Sequence, residues 1–298
     1  MNSYSTDSGQ SEDRSTHDTG SREDRGSRGS RAAGFLKRFG AMYALGLTGV
    51  VALGLAVAGV IPGVVGLPTV PGVDPALLAV AAVLNSALLL AVAVAVGVAL
   101  TPRVGLRSHL LAWVGGGTAP ERRLREEVPL AAGVGALTFA VVAGIDLLSR
   151  PFLGGLTPTV PTDSTGAAAA LVGSLPFRLL YGGVTEELLL RFGFMTLVLW
   201  ALWAVARRLG DRTGAPDSGV AWASIVVAAL LFGVGHLPAA ATITALTPAV
   251  VAVVVGLNAV AGVGFGWLYW RRSLEAAVVG HAAFHVVLVA VSLALLAI

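Results

Sequence analysis

The chain reads as long apolar runs separated by short polar intervals. The runs extend from about Phe39 to Ile61, Pro75 to Leu100, Val128 to Leu148, Ala167 to Ala206, Val220 to about Leu246, Ala249 to Trp270 and Leu274 to Ile298. Each reaches the roughly 20 residues that a helix needs to cross the hydrocarbon core of a bilayer. The pattern predicts an all-α fold, a polytopic transmembrane helix bundle. The stretch 167–206 is long enough to leave two counts open: seven spans if it is one bent helix, eight if it breaks near Glu186. Residues 1–34 are polar, mixed in charge and almost free of large apolar side chains. Such a segment buries too little to offset its ordering entropy, so it is expected to be a disordered tail, without the features of a secretory signal. Residues 35–298 are expected to form the transmembrane domain.

Composition agrees with this division. Of 298 residues, 55% are hydrophobic and 12% are charged, against about 25% charged in soluble domains. The deficit suits a surface that faces lipid, and no nucleic-acid partner is expected. There is no cysteine, which removes disulfides and thiolate chemistry from consideration.

The net charge of +3 matters less than where the basic residues fall. Lys and Arg in short loops favour the cytoplasmic side. Basic clusters sit before the first span (Arg28, Arg31, Lys37, Arg38), after the second (Arg103, Arg107, Arg122, Arg123, Arg125), after the long stretch (Arg207, Arg208, Arg212) and before the last span (Arg271, Arg272). The loops 62–74 and 239–247 carry no basic residue. All four clusters share one side only if the long stretch crosses once. The expected arrangement is therefore seven spans in the cell membrane, with the N-terminus cytoplasmic and the C-terminus outside. Residues 102–127 become a cytoplasmic loop in which Ser108 to Val114 can lie as a short interfacial helix.

Ionisable residues inside spans are costly and therefore point to function. Those at membrane depth are Asp146, Arg178, Glu186, Glu187, Arg191, His236, His281 and His285. Asp146 and Arg178 lie near span ends, where packing between helices accounts for them. The others form a pattern. Glu187 and Arg191 are four apart on a helix, so they share a face and can pair. Glu186 points about 100° away from Glu187, which leaves one carboxylate for chemistry as a general base. His281 and His285 are also four apart. If Glu186, His236 and His281 converge in one cavity, they supply a base and two imidazoles, enough to activate a water and stabilise an oxyanion. No serine or cysteine nucleophile motif is present, nor an HExxH zinc motif. The first three spans show no chemistry and are expected to serve bundle packing.

At these residues the chain resembles the CPBP family of intramembrane endopeptidases, the CAAX-type prenyl proteases also called the ABI family. The match consists of EExxxR (Glu186, Glu187, Arg191), FxxxH (Phe232, His236) and HxxxN/D (His281 with position 285), in that order within about residues 167–290. The resemblance implies that Glu186 activates the water, that His236 assists it, and that His281 helps form the oxyanion site. Glu187 and Arg191 would shape the pocket. It implies cleavage of membrane-associated protein or peptide substrates without a required metal cofactor. Position 285, Asn or Asp in the family, is His285 here. The alternatives keep the same residues: a zinc-dependent protease using Glu186, His236, His281 and His285, or a non-catalytic scaffold or immunity-type protein that retains the pocket. A transporter fits less well, because the motifs are confined to the C-terminal half instead of recurring in two repeats.

Overall fold

The computed structural model describes residues 15–64, 72–152, 164–210 and 213–298. Among them are eleven α-helices: α1 (Ser15–Val57), α2 (Pro75–Leu100), α3 (His109–Val114), α4 (Glu121–Ser149), α5 (Ser164–Gly173), α6 (Leu175–Phe177), α7 (Thr196–Gly210), α8 (Ser218–Gly235), α9 (Leu237–Ala241), α10 (Pro248–Arg271) and α11 (Leu274–Leu296). Between α6 and α7 the backbone adopts two π-helical segments, Arg178–Glu186 and Leu188–Met195. No strand occurs among the described residues.

Seven stretches are long and apolar enough to cross a membrane: Ser30–Val57, Pro75–Arg103, Glu121–Ser149, Thr165–Gly210, Ser218–Ala241, Pro248–Arg271 and Leu274–Leu296. The long central stretch is thus one broken and widened helix, the seven-span alternative. The fold is a polytopic all-α bundle. Its outer faces are apolar: Leu84 and Leu88 on α2, Leu137 and Leu148 on α4, and Leu295 on α11 are largely exposed. Its interior holds polar groups, among them Glu187, Arg191, Thr185, Thr196 and His281. This inverts the soluble-protein pattern, as expected where lipid is the solvent.

The helix of the first span begins at Ser15, inside the stretch 1–34 predicted as disordered. Extending an existing helix adds one hydrogen bond per residue fixed and needs no new nucleus, so a polar segment can continue a membrane helix into water. Residues 1–14 lie outside the described residues.

The central helix is widened where it meets α1. The hydroxyls of Thr185 and Thr196 donate to the carbonyls five residues earlier, Leu180 at 3.3 Å and Arg191 at 3.1 Å. That separation is the turn length of a π-helix, a form that recurs at functional sites. The Thr185 hydroxyl also reaches the Gly46 carbonyl of α1 at 2.7 Å. Gly49 allows this approach: a Cβ there would collide with Leu180 O and Thr185 Oγ1. A buried polar string continues from the second segment, with Thr196 Oγ1 and Thr101 Oγ1 each 3.1 Å from the Tyr269 hydroxyl.

The base of α11 is fixed to the loop after α2. Glu275 accepts from the backbone N–H groups of His109 and Leu110, both at 2.9 Å, and from Ser108 Oγ at 2.7 Å. The short helix expected at 108–114 therefore forms, and its first N–H groups end on a carboxylate. Glu127 of α4 completes the joint by taking contacts from His109 Nε2 at 3.1 Å and from the α11 cap residue Ser273. Asp146 of α4 pairs with Arg150 just past the end of the helix at 3.1 Å, and Arg178 Nε donates to Ser174 Oγ at 2.8 Å.

Candidate active site

The two adjacent glutamates of the π-helical region face different surroundings. Glu187 is fully buried, and one oxygen, Oε1, stands 3.0 Å from Nη1 of Arg191 and 2.8 Å from Nδ1 of His281. Arg191 is anchored further by a bond from Nη2 to the Gly262 carbonyl of α10 at 3.2 Å. Its guanidinium lies over the rings of Phe232 and Phe265, at 4.7 and 5.5 Å from their centroids. Two ring faces and a carboxylate thus stabilise a charge that lipid would not tolerate.

Glu186 is only partly buried and lines a cavity of about 870 Å³ together with His236 and Phe232. Asn85 and Ser86 of α2, and Tyr181, also line it. Leu89, Val92, Leu197 and Leu231 line the cavity and are also exposed on the outer surface. The mouth therefore faces the lipid between α2, α7 and α8.

His236 has a fixed tautomer. Its Nδ1 is 2.7 Å from the Phe232 carbonyl, which can only accept, so Nδ1 carries the hydrogen and Nε2 keeps a lone pair. The chain turns at His236 and continues as α9 to Ala241, because Ala240 N still donates to the His236 carbonyl at 3.0 Å. Pro238 therefore bends this span without ending it. The helical continuation beyond the bend closes at Ala241.

The predicted convergence of Glu186, His236 and His281 is not what the structure shows. Glu186 and His236 share the cavity, but neither His281 nor His285 lines it. His281 is turned to Glu187, with its ring stacked on Phe265 (4.4 Å between centroids) and on His285 (4.9 Å). His285 occupies space left by Gly182, where a Cβ would come within 2.7 Å of its Nε2. Among the described residues, the buried Nδ1 of His285 and Oε2 of Glu187 have no hydrogen-bond partner. Helical spacing places residues 281 and 285 on one face of α11. It does not determine which of two adjacent carboxylates that face meets.

The sequence reading missed the contribution of α2. Asn85 and Ser86 are the only polar residues in that helix, and both reach the cavity. Their isolation within an apolar span was the available signal.

The zinc alternative requires Glu186, His236, His281 and His285 to meet around one ion. Among the described residues, no three His, Cys, Asp or Glu side chains are close enough to hold a metal. The four candidates divide into two on the cavity and two behind it.

Residues 168–287 match the family model described as type II CAAX prenyl endopeptidase Rce1-like. The matched stretch runs from α5 into α11 and contains Glu186, Glu187, Arg191, Phe232, His236, His281 and His285. It agrees with the CPBP/CAAX protease resemblance carried by the three motifs. No curated protein and no solved structure matches the chain.

Proposed function

We propose that this protein is an intramembrane endopeptidase in which Glu186 activates a water molecule. The observation that carries the reading is the division of labour between the adjacent glutamates. Glu187 is occupied by Arg191 and His281, whereas Glu186 faces an open cavity with His236. A water there has two hydrogens to donate, one to the Glu186 carboxylate and one to Nε2 of His236. Both partners accept, and the water lone pair is left to attack. Glu186 takes the proton as the water oxygen adds to the scissile carbonyl. It returns the proton to the amine nitrogen when the C–N bond breaks.

Substrates are membrane-associated proteins or peptides, and the Rce1-like match favours prenylated C-terminal segments. A cavity mouth on the lipid-facing surface suits a chain anchored in the bilayer. The basic clusters support a cytoplasmic N-terminus. The test is cleavage of a fluorogenic prenylated CAAX peptide in proteoliposomes by wild type and by Glu186→Gln. Loss of a general base lowers kcat by about 10²–10⁴-fold. Equal rates for the two proteins overturn the reading.

A further inference from the structure

Three consecutive residues of the π-helical region face three different neighbours. Thr185 is fully buried against α1, Glu186 opens onto the cavity, and Glu187 is fully buried against Arg191 and His281. The contacts that hold Glu187 do not include Glu186. The direction of Glu186 is therefore set by the backbone between its two neighbours, and each neighbour is anchored to another element.

The anchor on the α1 side is the Thr185 hydroxyl. It donates to the Gly46 carbonyl at 2.7 Å and lies 3.3 Å from the Leu180 carbonyl of its own segment. Gly46 is inside α1, so its carbonyl also serves the ladder of that helix, and the hydroxyl takes its second lone pair. Gly49, three residues on, lets the two elements meet: a Cβ there would collide with the Leu180 carbonyl and with Thr185 Oγ1.

The anchor matters because the segment Arg178–Glu186 is π-helical. An α turn closes on the fourth residue and a π turn on the fifth. Relaxation of one such turn to the α form shifts the register by one residue, which rotates the side chains beyond it by about 100°. A rotation of that size takes the Glu186 carboxylate out of the cavity.

Resting on the hydrolytic reading of Glu186, we propose that Thr185 is a positioning residue for the reaction: its hydroxyl, held by the Gly46 carbonyl of α1, fixes the rotation of the π-helical segment so that Glu186 meets the water in the cavity. α1 lies outside the stretch 168–287 that matches the family model, so the first span contributes to the reaction as well as to packing. Thr185 touches neither water nor substrate. It acts through Glu186, on the geometry of proton transfer, and hence on kcat more than on KM.

The test compares wild type, Thr185→Val, Thr185→Ser, Glu186→Gln and the double variant Thr185→Val/Glu186→Gln on the fluorogenic prenylated CAAX peptide in proteoliposomes, with thermal unfolding in detergent measured alongside. Valine keeps the branched shape and removes the hydroxyl. The Gly46 carbonyl keeps its partner in α1, so no buried group is orphaned and the unfolding temperature should change little. Thr185→Val should lower kcat by about 10–100-fold, the scale of a slightly misplaced catalytic group, with KM changed less than about threefold. Thr185→Ser keeps the donor and should stay within about threefold of the wild-type kcat. Because Thr185 acts through Glu186, the double variant should be no slower than Glu186→Gln alone. Wild-type kcat in Thr185→Val, with Glu186→Gln inactive, overturns the role of Thr185 alone. So does a loss in Thr185→Ser as large as in Thr185→Val, a loss that tracks a fall in unfolding temperature, a loss confined to KM, or effects that multiply in the double variant. An inactive wild type, or a fully active Glu186→Gln, overturns the hydrolytic reading and this role with it.

Discussion

Nδ1 of His281 donates to Oε1 of Glu187 at 2.8 Å. This contact joins α11 to the π-helical region and determines which glutamate is available. The same oxygen is 3.0 Å from Arg191, so Glu187 is the centre of a buried knot of an acid, a guanidinium and an imidazole. Its neighbour in sequence is left on the cavity. Arg191 and Phe265 are among the largest fully buried side chains, and the Phe265 ring lies against both the guanidinium and the His281 imidazole. The cavity wall that carries Glu186 is thus joined to a fully buried part of the bundle.

Removing the acid should cost more than removing the pair. Glu187→Ala leaves Arg191 charged, buried and without its carboxylate, a loss of about 3–5 kcal/mol for an interior ion pair. The double variant Glu187→Leu/Arg191→Met replaces the pair by apolar groups and should recover most of that loss. Thermal unfolding in detergent reads both. If the single and double variants are equally destabilised, the ion pair is not what holds the knot.

How much of this was legible in the sequence differs from one feature to the next. The spans were legible because about twenty apolar residues in a row admit few other readings, and α2 begins and ends where its composition changes, at Pro75 and Leu100. The pairing of Glu187 with Arg191 followed from a spacing of four. The π-helical widening was not legible, since α and π turns share the same apolar patterning and differ only in which carbonyl each N–H meets. The partner of His281 was not legible either. Residues 186 and 187 point to different sides, and only packing decides which side α11 approaches. Asn85 was visible as an interruption in an apolar run, but no motif includes it.

Chelation should leave hydrolysis intact. The rings of His281 and His285 are stacked 4.9 Å apart and 24° from parallel. Ring lone pairs lie in the ring plane, so those of two nearly parallel rings do not converge on an ion at the roughly 2 Å that zinc requires. Glu186 and His236 are on the cavity, apart from that stack. Proteoliposomes treated with a strong zinc chelator are expected to keep wild-type rates. Loss of activity restored by added zinc would favour the metal-dependent alternative.

The absence of cysteine makes orientation directly measurable. A single introduced cysteine is then the sole site for a membrane-impermeant maleimide. Thr118→Cys lies between α3 and α4, within the arginine-bearing stretch 102–127, and Val73→Cys in the loop before α2. With the N-terminus cytoplasmic, intact cells should protect Thr118→Cys and label Val73→Cys, and inverted vesicles should reverse the pattern. The opposite result places the basic clusters outside and moves the proposed substrate face with them.

Gly182 and His285 should behave as a coupled pair. A methyl group at position 182 would stand 2.7 Å from Nε2 of His285 and 3.3 Å from Cδ2. The ring cannot readily retreat, because it is stacked on His281, which is held in turn by Glu187. Gly182→Ala should therefore cost about 1–3 kcal/mol, as overpacking of a filled interior does. His285→Asn shortens the side chain and removes the clashing atoms. In the double variant the cost of the new methyl should largely disappear, a coupling of about 0.5–3 kcal/mol in a double-mutant cycle. Unfolding temperatures of the four proteins measure it. Additive effects would show that the methyl is absorbed by backbone movement in the π-helical segment, and that the contact between Gly182 and the α11 histidines does not set the spacing of the two elements.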